Sequence, residues 1–522
     1  MRRSAVVAAT VLLAACIGGD DDQGRGDREP TERDDSSTLR LGIDGPLVVD
    51  PAAASLASST ELMVLDLLYD GLTHLGPDGE AQPALATDWE ANDQLTAFRF
   101  HLDPDATFSS GRAVTSEDVI ASLERVMAAG DSSLASLSLE AVEGFRAFAD
   151  GEAEHVSGLT APTPATVRVA LTTPVSVLPI VLSSPILSVI DPETVAGDLR
   201  DIDLSGGWTV ASEDDGDLVL DSRTEEGSVR TIELQAHDDE DAAYEAFEDG
   251  DVDWAQVPPE SYDQAVEDYG DDAFAPFQAE LFFGLNVDAR ALSSTPMRQA
   301  IMLAIDREAI VEEVYPDLAD PLNSVVPAGV PGHDPGHDPG RCPTCTPDPQ
   351  GAADIIAFAY PNGEVPTVNI DYDESPPQEA MAELVAADLE AAGIPTHLRA
   401  YPLDEYEAFV VSGDQVLFSF GWIGAYVSPD AYLAPLFGSS ANDNLTGYRS
   451  DQVDGLLERA RASTNPILNA DRWAAAEQTV LEAAVVVPIA QFRTQVVVAD
   501  RVEGFETAVD GTVDWAQVTL TS

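Results

Sequence analysis

The charge balance limits this chain before any periodicity is read. Asp and Glu number 94 against 25 basic residues, for a formal net charge of -69, and all 25 are arginine. Self-repulsion on this scale opposes the compact state while favouring solubility, and salt screens it. Apolar burial must hold the fold together, and hydrophobic residues at 44% suffice for a substantial core. The absence of lysine removes whole classes of chemistry. There can be no Walker A phosphate loop, no Schiff-base lysine and no pyridoxal phosphate site. Nucleic acid, which is held through cationic contacts to phosphate, is excluded as a partner. Two readings of the acidity stay open: adaptation to salt, and a surface tuned to cationic ligands.

The N-terminus reads as an address. Met1-Arg2-Arg3 is a basic n-region, and Ala5 to Ala15 is an apolar run too short to span a bilayer. It ends in Leu13-Ala14-Ala15-Cys16, which looks like a lipobox. The expectation is a signal peptide over residues 1–15, lipidation at Cys16, and a disordered tether over 16–37, where Gly, Asp, Arg and Ser dominate. No other apolar run is long enough to span. This places the protein on the extracytoplasmic face of a cell membrane, held by lipid. In an exported chain, Cys342 and Cys345 in C-x-x-C spacing suit a local disulfide. His333 and His337 in GHDPGHDPGRCPTC leave a zinc site open as an alternative.

From Thr38 onward, helical and strand periods alternate. Leu39, Leu41 and Ile43 mark a first strand. Ser58 to Glu61 is a capping box that opens a helix ending near Gly71, and Thr115 opens a second. Leu95 to Leu102 alternates as a hairpin strand. Val368 to Tyr372, Glu379 to Ala392 and His397 to Tyr401 form a strand–helix–strand unit. Gln415 to Phe420 is a buried strand, Asp451 to Ser463 and Asp471 to Ala484 are helices, and Val485 to Val498 is strand-like. This is an α/β chain without internal repeats or a long linker.

Catalytic constellations are missing. None of the seven histidines lies in H-E-x-x-H, and neither a G-x-S-x-G elbow nor a dinucleotide fingerprint occurs. With 94 acids, adjacent carboxylates are expected by chance. The expectation is therefore a binding protein without cofactor or metal, not an enzyme. Phe282-Phe283, Trp422 with Tyr426, and Tyr432 are the aromatic runs that could wall a site.

An ordered set of motifs carries a resemblance. Leu68-Tyr69-Asp70-Gly71-Leu72 is followed by Pro83-Ala84-Leu85-Ala86-Thr87-Asp88-Trp89, by Phe98-Arg99-Phe100-His101-Leu102 and by Phe108-Ser109-Ser110-Gly111 running to Val119. Further on come Asn286, Met297-Arg298-Gln299-Ala300, Ala304-Ile305-Asp306-Arg307, Gly421-Trp422, Pro429-Asp430 and Pro488. Together they resemble the peptide/nickel-type extracellular solute-binding proteins, family 5, of bacterial ABC importers. The resemblance implies a two-lobed periplasmic-binding-protein-like fold, class II of the large peptide-binding type, with an extra subdomain in lobe I. It maps lobe I to 38–275, with the subdomain near 51–180, lobe II to 276–486, and a return to lobe I over 487–522. The implied protein is a monomer that captures a solute between its lobes and delivers it to an ABC permease served by separate ATPase subunits.

The resemblance also implies a site. Ser55, Leu56 and Ala57 would line the cleft from lobe I. Gly421, Trp422 and Ile423 would offer backbone to an extended peptide, with Trp422 as a wall and Phe283 as a further aromatic neighbour. Peptide-binding members often read G-W-x-x-D-Y, where the aspartate meets the peptide ammonium. Here the run is Gly421-Trp422-Ile423-Gly424-Ala425-Tyr426, so Ala425 holds the aspartate position. A buried ammonium without a partner costs several kcal/mol, so a free-amine peptide needs another carboxylate. Nickel complexes, opines, oligosaccharides and a sensor role stay open as alternatives.

Overall fold

The computed structural model describes residues 36–521, apart from 77–78, 129–138, 196, 215, 225–226, 271–273 and 334–343. The expected signal peptide, Cys16 and its tether up to residue 35, His337 and Cys342 lie outside the described residues. Two six-stranded sheets organise the rest. In lobe I the order is Val496–Val498, Trp254–Gln256, Thr38–Asp44, Thr231–His237, Asp217–Ser222, Trp208–Asp214. Thr38–Asp44 runs parallel to Thr231–His237 and sits inside the sheet, with Leu39 and Leu41 fully buried. Its sequence TLRLGID alternates, so Leu39, Leu41 and Ile43 share one buried face.

The subdomain of lobe I is a four-stranded antiparallel sheet in the order Ala86–Ala91, Ala97–Leu102, Thr166–Ala170, Leu159–Thr163. Helix Ser116–Met127 packs on it. Thr115 caps this helix reciprocally with Asp118, as the sequence pattern requires. Helix Ser59–Leu68 is capped by Ser58, whose hydroxyl accepts from Glu61 N at 3.1 Å. It stops short of Gly71, because Tyr69 already turns extended.

Lobe II carries the order Ala319–Pro321, Val486–Arg493, Pro276–Leu285, Leu417–Ile423, Val368–Asp373, Thr396–Tyr401. The expected strand–helix–strand unit is present: Val368–Asp373 and Thr396–Tyr401 run parallel, joined through helix Pro376–Ala391. Helix Pro466–Glu482 begins five residues before the expected Asp471, because Asn465 caps it, accepting from Leu468 N at 3.1 Å.

The chain crosses between lobes twice, next to Ala275 and at Thr494. The crossings bond to each other: Thr494 N donates to Ala275 O at 2.7 Å and its Oγ1 to the same oxygen at 3.2 Å. The return therefore comes seven residues after the expected 487. Val486–Arg493 is still a lobe II strand, paired with Pro276–Leu285 and buried along nearly its whole length. The C-terminal segment then locks onto lobe I. Arg501 grips Asp253 through Nε and Nη2, both at 2.6 Å, and Thr38 O at 2.8 Å. Trp515 Nε1 and Val513 N donate to Asp66 at 3.1 and 3.3 Å.

Burial governs the acids. Among the described carboxyls that are clearly displaced, Asp198 alone is held down, by hydrogen bonds from Arg200. Asp66 is lifted from 3.8 to about 8 by burial, reinforced by Asp510 and Asp70. Burial likewise raises Asp510, Asp371, Asp388 and, well above its usual range, Glu280. A carboxyl raised on folding binds more protons in the native state. Its contribution to stability is full below the unfolded value and is lost as pH climbs through the folded one. We therefore expect the calorimetric melting temperature to rise as pH falls from 8 to 5.5. Added NaCl should raise it more at pH 8 than at 5.5. A melting temperature that falls on this acidification contradicts the assignment.

Candidate functional site

The lobes meet around a small enclosed cavity of about 10 Å³, the space of roughly one water. Lobe I supplies Leu56, Leu62 from helix Ser59–Leu68, and Ser183 to Pro185. Lobe II supplies Gln278 from the strand Pro276–Leu285, and Ala425 to Val427 just past Leu417–Ile423. Asp510 enters from the C-terminal segment.

Each group is held by its own neighbours. Gln278 N donates to Val509 O at 2.9 Å, tying lobe II to the C-terminal segment. Gln278 O accepts from Tyr432 Oη at 3.1 Å and Gly424 N at 3.3 Å. Position 424 must be glycine, because a Cβ there would lie 2.5 Å from Tyr432 Oη. The Gln278 side chain is 1% exposed, and its Oε1 has no hydrogen-bond partner. Asp510 Oδ1 accepts from Thr512 N at 3.2 Å and Thr512 Oγ1 at 2.7 Å. Glu280, two residues along from Gln278, is fully buried with both carboxyl oxygens unpartnered, and Glu477 lifts its carboxyl further.

The nearest acid to the Ala425 position in sequence is Asp430, and it is already engaged. Arg461 Nε donates to Asp430 Oδ1 at 2.6 Å, and Tyr426 Oη donates to Oδ2 at 3.0 Å. Burial alone would lower the Arg461 guanidinium; Asp430 and Tyr426 outweigh it and hold it above its ordinary value. Arg461 also anchors the lobe boundary, since Ser176 N of lobe I donates to its carbonyl at 2.9 Å.

Of the residues singled out in the sequence, Leu56, Ala425 and Tyr426 line the cavity together. Ser55 and Ala57 flank Leu56 in an exposed turn, where Ser55 N donates to Glu61 at 2.6 Å. Gly421, Trp422 and Ile423 form the end of a lobe II strand, opposite Leu281, Glu280 and Ala279. Two of the expected residues are buried. Phe283 is 0% exposed in the lobe II core, on the alternate face of its strand from Gln278. Trp422 is 7% exposed with its indole N–H donated to Ala431 O at 2.9 Å, so its ring belongs to the packing of lobe II. Gln278 and Asp510 were not singled out. Cys345 is disulfide-bonded, with its partner outside the described residues. Its carbonyl accepts from the buried Arg307 at 3.1 Å. Among the described residues no group of three or more His, Cys, Asp and Glu could hold a metal ion. No described helix is long and apolar enough to cross a membrane.

Residues 80–444 match the model of the bacterial extracellular solute-binding proteins, family 5 Middle. The chain belongs to this family. It is 22% identical over 476 residues to the dipeptide-binding protein DppE of Bacillus subtilis, covering 87% of each chain. It is 27% identical over 230 residues to heme-binding protein A of Haemophilus influenzae, a match spanning 43% of this chain and only 41% of that relative. Its fold is similar to that of the periplasmic murein tripeptide binding protein MppA in its unliganded open form, with a TM-score of 0.81 at 20% identity, covering 93% of this chain and 98% of that one. The two-lobed architecture is thus that of family 5. Members of this family bind solutes and are not enzymes.

The Asp430–Arg461 pair gives a direct test of the local structure. Arg461→Met leaves the buried Asp430 carboxylate without its cation. With Arg461 partly exposed to solvent, the loss should be about 2–3 kcal/mol in urea unfolding, below the ~3–5 kcal/mol of a fully buried pair. Asp430→Asn in the same chain should recover a large part of it. Trp422→Ala should cost about 3–5 kcal/mol of stability, as a core truncation does. A stable Trp422→Ala variant that merely loses ligand affinity would restore Trp422 as a cleft wall.

Proposed function

We propose that this family 5 protein is an exported, lipid-anchored receptor that takes a short peptide between its lobes and delivers it to an ABC permease. One observation carries the peptide reading. The strand Leu417–Ile423 is paired on one side with Pro276–Leu285 along its length. On the other side, Val368–Asp373 pairs only with Leu417 and Phe418. From Phe420 to Ile423 no described strand lies along that edge, Ser419 O accepting instead from Tyr406 Oη at 2.6 Å, and the edge runs out at Ala425 and Tyr426 beside the cavity. An open strand edge that ends at the meeting of two lobes is suited to an extended backbone, which adds to it as a further strand. The Gly421-Trp422-Ile423 backbone then supplies main-chain hydrogen bonds without selecting side chains.

Two crossings bonded at Thr494 and Ala275 form a compact hinge, around which rigid lobes close on a ligand. The basic start, apolar run and Leu13-Ala14-Ala15-Cys16 support lipidation at Cys16 after removal of residues 1–15, which would hold the receptor at the membrane surface. The match to a relative named heme-binding protein A keeps a bulkier non-peptide solute as the second reading. Native mass spectrometry of freshly purified protein separates the two. The expected result is one or more bound species with peptide masses that fragment into amino-acid residues. A bound tetrapyrrole, sugar or metal complex overturns the peptide reading.

A further inference from the structure

The cavity between the lobes carries several acceptors among apolar side chains such as Leu56, Leu62 and Val427. Asp510 contributes a carboxyl, Gln278 a buried Oε1 without a partner, and Ser183 and Ser184 hydroxyl-bearing side chains. Among the described residues, no arginine is an electrostatic neighbour of Asp510, Asp66 or Glu280; only burial, hydrogen bonds and other carboxyls act on them. Asp430, the nearest other acid in sequence to Ala425, is committed to Arg461 and Tyr426. A cavity of one-water size that holds a carboxyl and an orphan carbonyl oxygen is matched by a small head that carries positive charge and several N–H donors.

We propose that this cavity seats the ammonium head of the ligand, with Asp510 as its counter-charge and Gln278 Oε1 as a second acceptor. The carboxylate lacking at Ala425 is thereby supplied from the opposite side, by the C-terminal segment of lobe I. Because Asp510 belongs to lobe I and Gln278 and Ala425 to lobe II, the ammonium bridges the lobes and favours their closed arrangement. In this conformation Gln278 N also bonds Val509 O at 2.9 Å, which brings the two acceptors together. The proposal sharpens the peptide reading to free-amine peptides and rests on it for the rest of the ligand.

Two probes keep the two readings distinguishable, both applied to the full chain. The first is methylammonium chloride, the head alone, compared with NaCl at equal ionic strength in thermal unfolding. Wild type should show a saturable extra rise in melting temperature that Asp510→Asn abolishes. Asp510→Asn keeps the acceptor oxygen for Thr512, so it should fold, and circular dichroism checks this. The second is a mixture of free-amine tripeptides set against its N-acetylated counterpart, read by calorimetry. Free-amine tripeptides should bind at least tenfold more tightly than acetylated ones. Asp510→Asn should erase that preference, and Ala425→Asp in the Asp510→Asn chain should restore it. Methylammonium no better than sodium, with both tripeptide sets binding alike, overturns the ammonium site and leaves the peptide reading intact. A methylammonium effect lost in Asp510→Asn, with no tripeptide bound, upholds the site and overturns the peptide reading.

Discussion

Desolvation of carboxyl groups is the constraint on which this structure turns. With 94 acids and 25 arginines, most acids must face water, and each buried acid needs an arginine, a set of backbone N–H donors or a proton. The arginines are placed where a lost contact would loosen a joint. Arg501 ties the C-terminal segment to Asp253 and the first strand. Arg399 and Asp371 secure two parallel strands of lobe II, and Arg493 and Asp320 secure its edge. Arg461 and Asp430 hold the turn that carries Tyr426. Arg298 and Arg307 are buried and serve carbonyls: Arg298 caps Ala483 and Leu292 at 2.9 Å each, and Arg307 meets Pro488 O at 2.8 Å. These two come from family motifs, which shows that much of the motif set maintains lobe II.

The same constraint separates the joints from the site. Where the fold needs rigidity, an acid is matched by an arginine. Among the described residues, no arginine matches Asp510 at the meeting of the lobes, Glu280 in the lobe II strand Pro276–Leu285 or Asp66 in the lobe I helix Ser59–Leu68. Unmatched buried acids cost stability. They are tolerated where something outside the chain supplies the missing charge, and functional sites are where such groups collect. The two readings of the acidity then describe different parts of the molecule. The bulk of it is a solvated surface whose repulsion salt relieves, and Asp510 at the cavity is the one acid proposed to meet a cation.

Local chemistry made most elements legible in the sequence. The Ser58 and Thr115–Asp118 caps start helices where their spacing requires, and the 368–401 unit has the expected order. The second crossing was hidden because Val485 to Val498 reads as strand-like throughout, although the polar Arg493-Thr494-Gln495 divides it between two sheets. Strand periodicity says which face is buried but not which sheet a strand joins. At the site, Leu56, Ala425 and Tyr426 followed from motif positions. Asp510 was one acid among 94, with no local pattern beyond an Asp-Gly turn. Gln278 and Glu280 did carry a signal: two polar residues at alternate positions in the otherwise apolar Pro276–Leu285 share one face. Buried polar residues on a central strand need partners or a purpose.

Ala425 shows how one departure from a pattern redirects the rest. Had that position been acidic, it would have stood at the cavity beside Tyr426 and supplied a counter-charge from lobe II. With alanine there, the nearest acid in sequence is Asp430, which stays paired with Arg461. The counter-charge then comes from Asp510, across the lobe boundary. An acid within lobe II would bind an ammonium equally well with the lobes open or closed. One divided from its neighbouring acceptor by the boundary binds fully only when the lobes meet. A ligand shifts a conformational equilibrium only by its difference in affinity for the two states. Placing Asp510 opposite Gln278 turns the head-group contact into such a difference, and couples recognition of charge to closure.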